Sequence, residues 1–329
     1  MTPISRMLAN SSLTGLVVAA VPAAANETPE KETTATSEIE TSDSSHSPQG
    51  RPAQGTSQQS VPPAGPPPGL LGFNPVFDDT WATVGIGAGL VPSYSGSDDY
   101  VPFPLPLIVG RVGGVGISPN GPGFNLNVLS QAPSLTPAKT SFSFGPSFRF
   151  RNDRANQIED DVVELATELD VAIELGVNGG VTFNGVLAPR DRLSLNAQVR
   201  WDVLDAHNGM LIEPGVSYFR PLDSGTALQI SATASFVDDD FADYYYTVTP
   251  ADAAATGLAE FAADGGLNSL GTLAILTFDL DGNLLNGGFS IYTIAGYSRL
   301  VGDAADTPFT ADRGSANQLI AGIGVGYTF

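Results

Sequence analysis

"QLIAGIGVGYTF" (318–329) alternates with a period of two. Leu319, Ala321, Ile323, Val325, Tyr327 and Phe329 fall on one face. Gln318, Ile320, Gly322, Gly324, Gly326 and Thr328 fall on the other. That is a strand with one greasy face and one small or polar face. In water the greasy face would invite aggregation. Turned toward lipid, in a closed barrel with every edge paired, it would not.

Working back, the same period recurs from Trp81 onward. "SFSFGPSFRFR" (141–151) sets Phe142, Phe144, Pro146, Phe148 and Phe150 against Ser141, Ser143, Gly145, Ser147, Arg149 and Arg151. "ELDVAIELGV" (168–177), "RLSLNAQVRWDV" (192–203) and "ALQISATASF" (227–236) repeat it. A sandwich core also alternates this way. Strand length separates the two: runs of 10–13 residues exceed the usual sandwich strand of about 5–6 and match the roughly 9–11 that span a bilayer. Tight turns "APRD" (188–191), "PLDS" (221–224) and "LDGNL" (280–284) alternate with long polar stretches at 152–167, 238–267 and 301–315. Short turns on one side and long loops on the other are the asymmetry of an outer-membrane barrel.

Strands are expected at 81–91, 101–112, 115–129, 141–151, 168–187, 192–204, 210–220, 225–237, 268–280, 287–299 and 316–329, eleven in all. Barrels of this kind need an even number. A split of 168–187 at "NGG" (178–180), or a further strand at "YYYTV" (244–248), makes twelve; one false assignment makes ten. Twelve is the expectation. Within "VPFPLP" (101–106), Pro102, Pro104 and Pro106 remove three successive N–H groups from one edge. That strand should therefore lie at a rim or pair poorly on one side.

Composition agrees. The 329 residues include 37 glycines and no cysteine, and 15% are charged, against about a quarter in an average soluble domain. A net charge of −21 argues against nucleic acid as a partner. Residues 1–25 read as a signal peptide, with Arg6, the apolar "LTGLVVAAV" (13–21), and Ala23 and Ala25 at an A-x-A cleavage pattern. Residues 26–72, rich in Pro, Ser and Glu, hold almost nothing that can be buried and are expected to form a disordered periplasmic linker. The antiparallel barrel, an all-β fold, would occupy 73–329, with outer-membrane lipid around it.

Three stretches resemble the MipA/OmpV family of outer-membrane proteins of Gram-negative bacteria. "VPSYSGSDDYVPFPLP" (91–106) carries a P-x-Y-x-G-S-D-x-Y core as Pro92, Tyr94, Gly96, Ser97, Asp98 and Tyr100. "YSRLVGDAADTPFTADRGSANQLIAGIGVGYTF" (297–329) is similar to the family's ending, and "YYYTVTPADAAATGLAEFAADGG" (244–266) to its Tyr-rich loop. The resemblance covers about 75–329 and omits the linker. It implies an outer-membrane barrel whose terminal aromatic strand, with Tyr327 and Phe329, signals insertion by the barrel-assembly machinery. It also implies a role between a periplasmic murein lytic transglycosylase and a bifunctional murein synthase.

Residue chemistry adds no catalytic, cofactor or metal site. His46 lies in the linker, and His207, with Asp202 and Asp205, in a polar connection without a positioned nucleophile. "DLDGN" (279–283) lacks the glycine and glutamate spacing of a calcium loop and reads as a turn. Asp238, Asp239, Asp240 and Asp243 could share a divalent cation, but their spacing equally fits a solvated loop. Arg149, Arg151, Arg192 and Arg200, with Asp170, Glu174, Asp202 and Glu213, are assigned to the lumen, where they either pair and plug it or line a pore. The expected function is a non-catalytic scaffold for cell-wall enzymes; the alternatives are a narrow channel or surface-binding barrel, and an outer-membrane hydrolase.

Overall fold

The computed structural model describes residues 80–130, 138–155 and 157–329. The signal-peptide and linker assignments (1–25 and 26–72) lie outside these residues. The described chain is a closed antiparallel barrel of twelve strands: β1 (Trp81–Pro92), β2 (Tyr100–Val112), β3 (Val115–Pro119), β4 (Gly123–Asn127), β5 (Thr140–Arg151), β6 (Ala172–Asn184), β7 (Arg192–Asp202), β8 (Met210–Pro221), β9 (Thr226–Val237), β10 (Gly266–Asp279), β11 (Gly288–Leu300) and β12 (Asn317–Thr328). β12 closes on β1, with Val84 opposite Tyr327 and Leu90 opposite Ala321. No described helix is long and apolar enough to cross a membrane.

The expected count holds, but the twelfth strand comes from neither expected place. The stretch 115–129 breaks into β3 and β4 at "NGP" (120–122), where Gly121 takes φ 61° and the Asn120 N–H donates to the Gly123 carbonyl at 3.0 Å. "NGG" stays inside β6: a Cβ on Gly180 would lie 2.7 Å from the Leu195 carbonyl oxygen, so the glycine serves close strand approach. "YYYTV" is not a strand. Tyr244, Tyr245 and Tyr246 close helix α1 (Asp239–Tyr246), and Val248 makes a single bridge with Phe261.

The alternating faces fall as periodicity predicts. Phe142, Phe144, Leu175, Leu195, Ile230, Leu319, Ile323 and Val325 point outward and exposed. Inside, Trp81, Leu105, Leu107, Val109, Leu273, Ile275, Tyr292 and Ile294 form one apolar cluster. The inward glycines of β12 exist for this packing. A Cβ on Gly324 would sit 2.3 Å from the Tyr292 ring, and one on Gly322 2.3 Å from Leu105 Cδ1.

β2 pairs with β1 from Tyr100 to Arg111, whereas its described pairing with β3 covers only Gly110–Val112. Its three prolines lie in the part without a β3 partner, as a strand missing alternate N–H groups requires.

Candidate functional site

Two inward-facing layers lie above the apolar cluster, toward the long loops. The first is ionic. β5, β6, β7 and β8 are consecutive neighbours, and their inward positions carry Arg149, Arg151, Glu174, Arg200 and Glu213, each at most 5% exposed. Arg151 Nε reaches Glu174 Oε1 at 2.5 Å and Arg200 Nε reaches Glu174 Oε2 at 3.0 Å. Arg149 Nη1 lies 3.4 Å from Glu213 Oε1; Arg200 Nη2 bonds Glu213 Oε2. Arg200 thus joins both glutamates. His207 is buried beside them, its Nδ1 accepting from the Gly209 N–H at 3.0 Å and its Nε2 lying 3.6 Å from Glu174 Oε1. Below this layer Asn120, Asn125, Ser147 and Gln198 form a further buried hydrogen-bonded set.

Three of the expected lumen residues stand apart from the ionic layer. Asp170 is exposed in the β5–β6 loop, its N–H donating to the Tyr244 hydroxyl at 2.7 Å. Asp202 ends β7 and accepts from the N–H groups of Leu204, His207 and Asn208. Arg192 starts β7 on the same inward alternation as Gln198 and Arg200, at the end away from the cap, with its guanidinium 4.4 Å from the Phe219 ring centroid. Asp170 precedes β6, whereas Arg192 and Asp202 keep the paired register at the two ends of β7.

The second layer is a folded cap. The β9–β10 connection carries α1 and α2 (Pro250–Thr256), and the β11–β12 connection α3 (Asp303–Asp306) and α4 (Pro308–Ala311). Asp238 caps α1 by accepting from the Phe241 N–H at 3.2 Å, and also accepts from Met210 N–H at 2.8 Å. Asp239 accepts from Gly265 N–H and Asp243 from the Thr247 hydroxyl, both at 2.8 Å. These carboxylates are helix and loop fasteners. α2 begins with a capping box of Thr249 and Asp252, followed by Pro250. That signal was present in "TPAD".

The family-like motif holds this cap. Tyr94, 2% exposed, packs with Val163, Ala166, Val248 and Phe309. Its hydroxyl donates to the carbonyls of Phe309 at 3.1 Å and Arg313 at 3.4 Å. Burial, reinforced by nearby Asp160, pushes that hydroxyl's pKa up, so it stays a donor. Gly96 takes φ 103°, and an added Cβ would lie 2.2 Å from Thr310 Oγ1. Its carbonyl accepts from the Ser315 N–H at 2.7 Å, and the Ser97 carbonyl accepts from Gln318 Nε2 at 3.0 Å. The Tyr100 hydroxyl accepts from the Leu319 N–H at 3.2 Å. Pro92 ends β1, and Asp98 is exposed. Arg154, unmarked by any sequence motif, ties in the third stretch: its guanidinium stacks 3.9 Å from the Phe309 ring centroid, and its Nη1 donates to the Tyr245 carbonyl at 3.0 Å. The three family-like stretches therefore meet in one cap. At the opposite end, Phe329 and Ala82 exchange backbone hydrogen bonds of 3.0 Å in each direction, and the Tyr327 and Phe329 rings lie outward with centroids 6.4 Å apart.

Between cap and ionic layer lies a cavity of about 60 Å³, lined in part by Arg149, Arg151, Glu213, Ser235, Ser269 and Ser298. It has room for a few water-sized particles.

A closed sheet with an apolar exterior, an ionic interior and a folded cap defines a transmembrane β-barrel of the outer-membrane kind. The family model described as MltA-interacting protein MipA matches residues 84–329, and the chain belongs to that family. No curated protein matches the chain. Among solved structures it is similar to an outer membrane channel from Pseudomonas putida F1, at 14% identity over 76% of this chain and 96% of that one, with a TM-score of 0.39. It is also similar to the outer membrane protein OprD from Pseudomonas aeruginosa, at 12% identity over 74% of this chain and 65% of that one, with a TM-score of 0.32. A third likeness is to a loop L8 deletion mutant of OmpT from Vibrio cholerae, at 10% identity over 76% and 98%, with a TM-score of 0.24.

Proposed function

We propose that this barrel works in the outer membrane as a non-catalytic scaffold that holds a murein transglycosylase and a murein synthase near the inner leaflet. The observation that carries the reading is the family match over residues 84–329, described as MltA-interacting protein, which fits the murein lytic transglycosylase partner that the family resemblance implies. The paired charges in the lumen support a barrel that acts by position. Binding two enzymes at one place raises their local concentration without any chemistry by the scaffold.

Four of the five connections opposite the cap are short, at 113–114, 185–191, 222–225 and 280–287, and the fifth, 128–139, is longer. The four short turns offer little surface, so we assign partner binding to the 26–72 segment, alone or with the turns at that end. Glu27, Glu30, Glu32, Glu38, Glu40 and Asp43 suit it to a basic surface, with salt-sensitive affinity. Crosslinking in living cells followed by identification of the captured proteins tests this. Murein enzymes should be recovered with the full chain and reduced when 27–70 are deleted from a barrel that still inserts. Unchanged recovery would move the binding surface to the turns; no recovery of murein enzymes with the full chain would end the scaffold reading. In planar bilayers the purified barrel should show no steady conductance.

A further inference from the structure

We infer that Arg299, on the outer wall of the barrel at its loop end, binds a phosphate of an outer-leaflet lipid. The outward positions of β11 run Phe289, Ile291, Thr293, Ala295, Tyr297 and Arg299, while Tyr292, Ile294 and Leu300 are buried. Phe289, 56% exposed, packs edge-on against Tyr327 near the chain end and marks the inner aromatic girdle. The ten steps from Phe289 to Arg299 cover about 34 Å along a strand, or roughly 26 Å of height at the usual tilt of about 40°. The apolar band of such barrels is about 25 Å tall. Arg299 therefore stands where acyl chains end and the outer headgroups begin.

Asn317, opposite Arg299 on β12, accepts at Oδ1 from Arg299 Nη1 at 2.9 Å and from the Tyr297 hydroxyl at 2.8 Å. That bond holds the guanidinium against the wall, so a ligand has less side-chain freedom to remove, and it leaves the rest of the donor fork exposed. Among the described residues no carboxylate pairs with Arg299. The other arginines of the loop end are buried or, in the case of Arg313, held by Asp160. Leu270 lies beside Arg299 on β10, and Leu319 lies beside Tyr297 on β12; both are exposed and offer acyl chains a surface next to the charge. A free phosphate ion is the poorer occupant. It would approach through water, past the exposed carboxylates Asp239, Asp240, Asp243, Asp306 and Asp312 of the loops, which repel it. A lipid phosphate arrives along the wall with its chains on the apolar face, and its oxygens match the guanidinium fork.

The test is lipid binding to the purified full chain in detergent, read by native mass spectrometry as the fraction carrying one lipid over a concentration series. The probes are a bisphosphorylated lipid A, the same lipid with both phosphates removed, and inorganic phosphate. The dephosphorylated lipid should bind about tenfold more weakly than the phosphorylated one, the size of one charge-assisted hydrogen bond. Excess inorganic phosphate should not displace the lipid. Arg299→Gln should lose the preference and Arg299→Lys should keep part of it. Arg220→Gln, which alters an exposed arginine at the opposite end of the barrel, should keep all of it. Equal binding of the two lipids by the unaltered chain, an undiminished preference in Arg299→Gln, or its loss in Arg220→Gln would overturn the assignment. Displacement by inorganic phosphate would overturn it in favour of a free-anion site. If Arg299→Gln fails to assemble, the two lipids on the unaltered chain and on Arg220→Gln decide.

Discussion

The Tyr94 hydroxyl donates to the carbonyl of Phe309, 215 residues further along the chain, at 3.1 Å. One bond thus links the first loop of the barrel to its last, inside an apolar cluster that excludes water. Tyr94→Phe keeps the ring and removes the donor. It should cost about 1–3 kcal/mol, the range for an unpaired buried carbonyl. Gly96→Ala should cost more, because φ 103° and the Thr310 contact both oppose a side chain. Denaturant midpoints in detergent measure both; a Tyr94→Phe variant as stable as the parent would show that the hydroxyl contributes nothing.

Glu174 serves Arg151 and Arg200 at once. Glu174→Gln leaves two buried guanidinium groups short of a counter-charge and should destabilise the barrel by about 3–5 kcal/mol. The heat needed to convert the compact barrel to its unfolded gel mobility should fall clearly. Unchanged heat-modifiability would mean that the arginines find another partner.

The prolines of β2 make an opposite pair of predictions. Pro104→Val restores an N–H on an edge with no described partner strand, and should change stability by less than about 1 kcal/mol. Thr293→Pro, in β11, which is paired on both sides, should prevent assembly. Assembly yield in the membrane fraction distinguishes them, and equal yields would contradict the one-sided pairing.

Removing Phe329 deletes both backbone hydrogen bonds to Ala82 at the barrel seam and the outward aromatic ring. The truncated chain should accumulate misassembled in the periplasm. A protease-resistant, heat-modifiable barrel lacking Phe329 in the outer membrane would refute a sorting role.

Asp160 fastens the cap to Arg313, with Arg313 Nη2 at 2.8 Å. Burial alone would raise its pKa, but the Arg313 guanidinium and the N–H groups of Val163 and Val162 outweigh burial and hold it below the ordinary carboxylate range. Its folded pKa is therefore depressed. The fastening is complete above the unfolded pKa near ~4 and is lost as pH falls through the lower folded value. Amide exchange at 162–166 should accelerate over that acid range in the parent, and Asp160→Asn should remove the pH dependence. An identical profile in the variant would show that another group controls the cap.

Strand identity and facing were legible in single stretches, because a two-residue period needs no partner to be read. "QLIAGIGVGYTF" alone marks which side chains of β12 meet lipid. The three family-like stretches were also visible, but nothing local says that Tyr94, Tyr245 and Phe309 share one cap. That meeting depends on closure of the sheet, which brings loops from distant parts of the chain over one mouth. In sequence the possible break falls at "NGG", and 115–129, with its equally turn-like "NGP", reads as one strand; strand spacing decides otherwise, since Gly180 is pressed against β7 while Gly121 takes a turn conformation. Charge pairing was likewise out of reach. Alternation put Arg149, Arg151, Glu174, Arg200 and Glu213 inside, but the register between strands chose Arg200 as the link between two glutamates. Periodicity is a property of one strand; register and closure belong to all twelve.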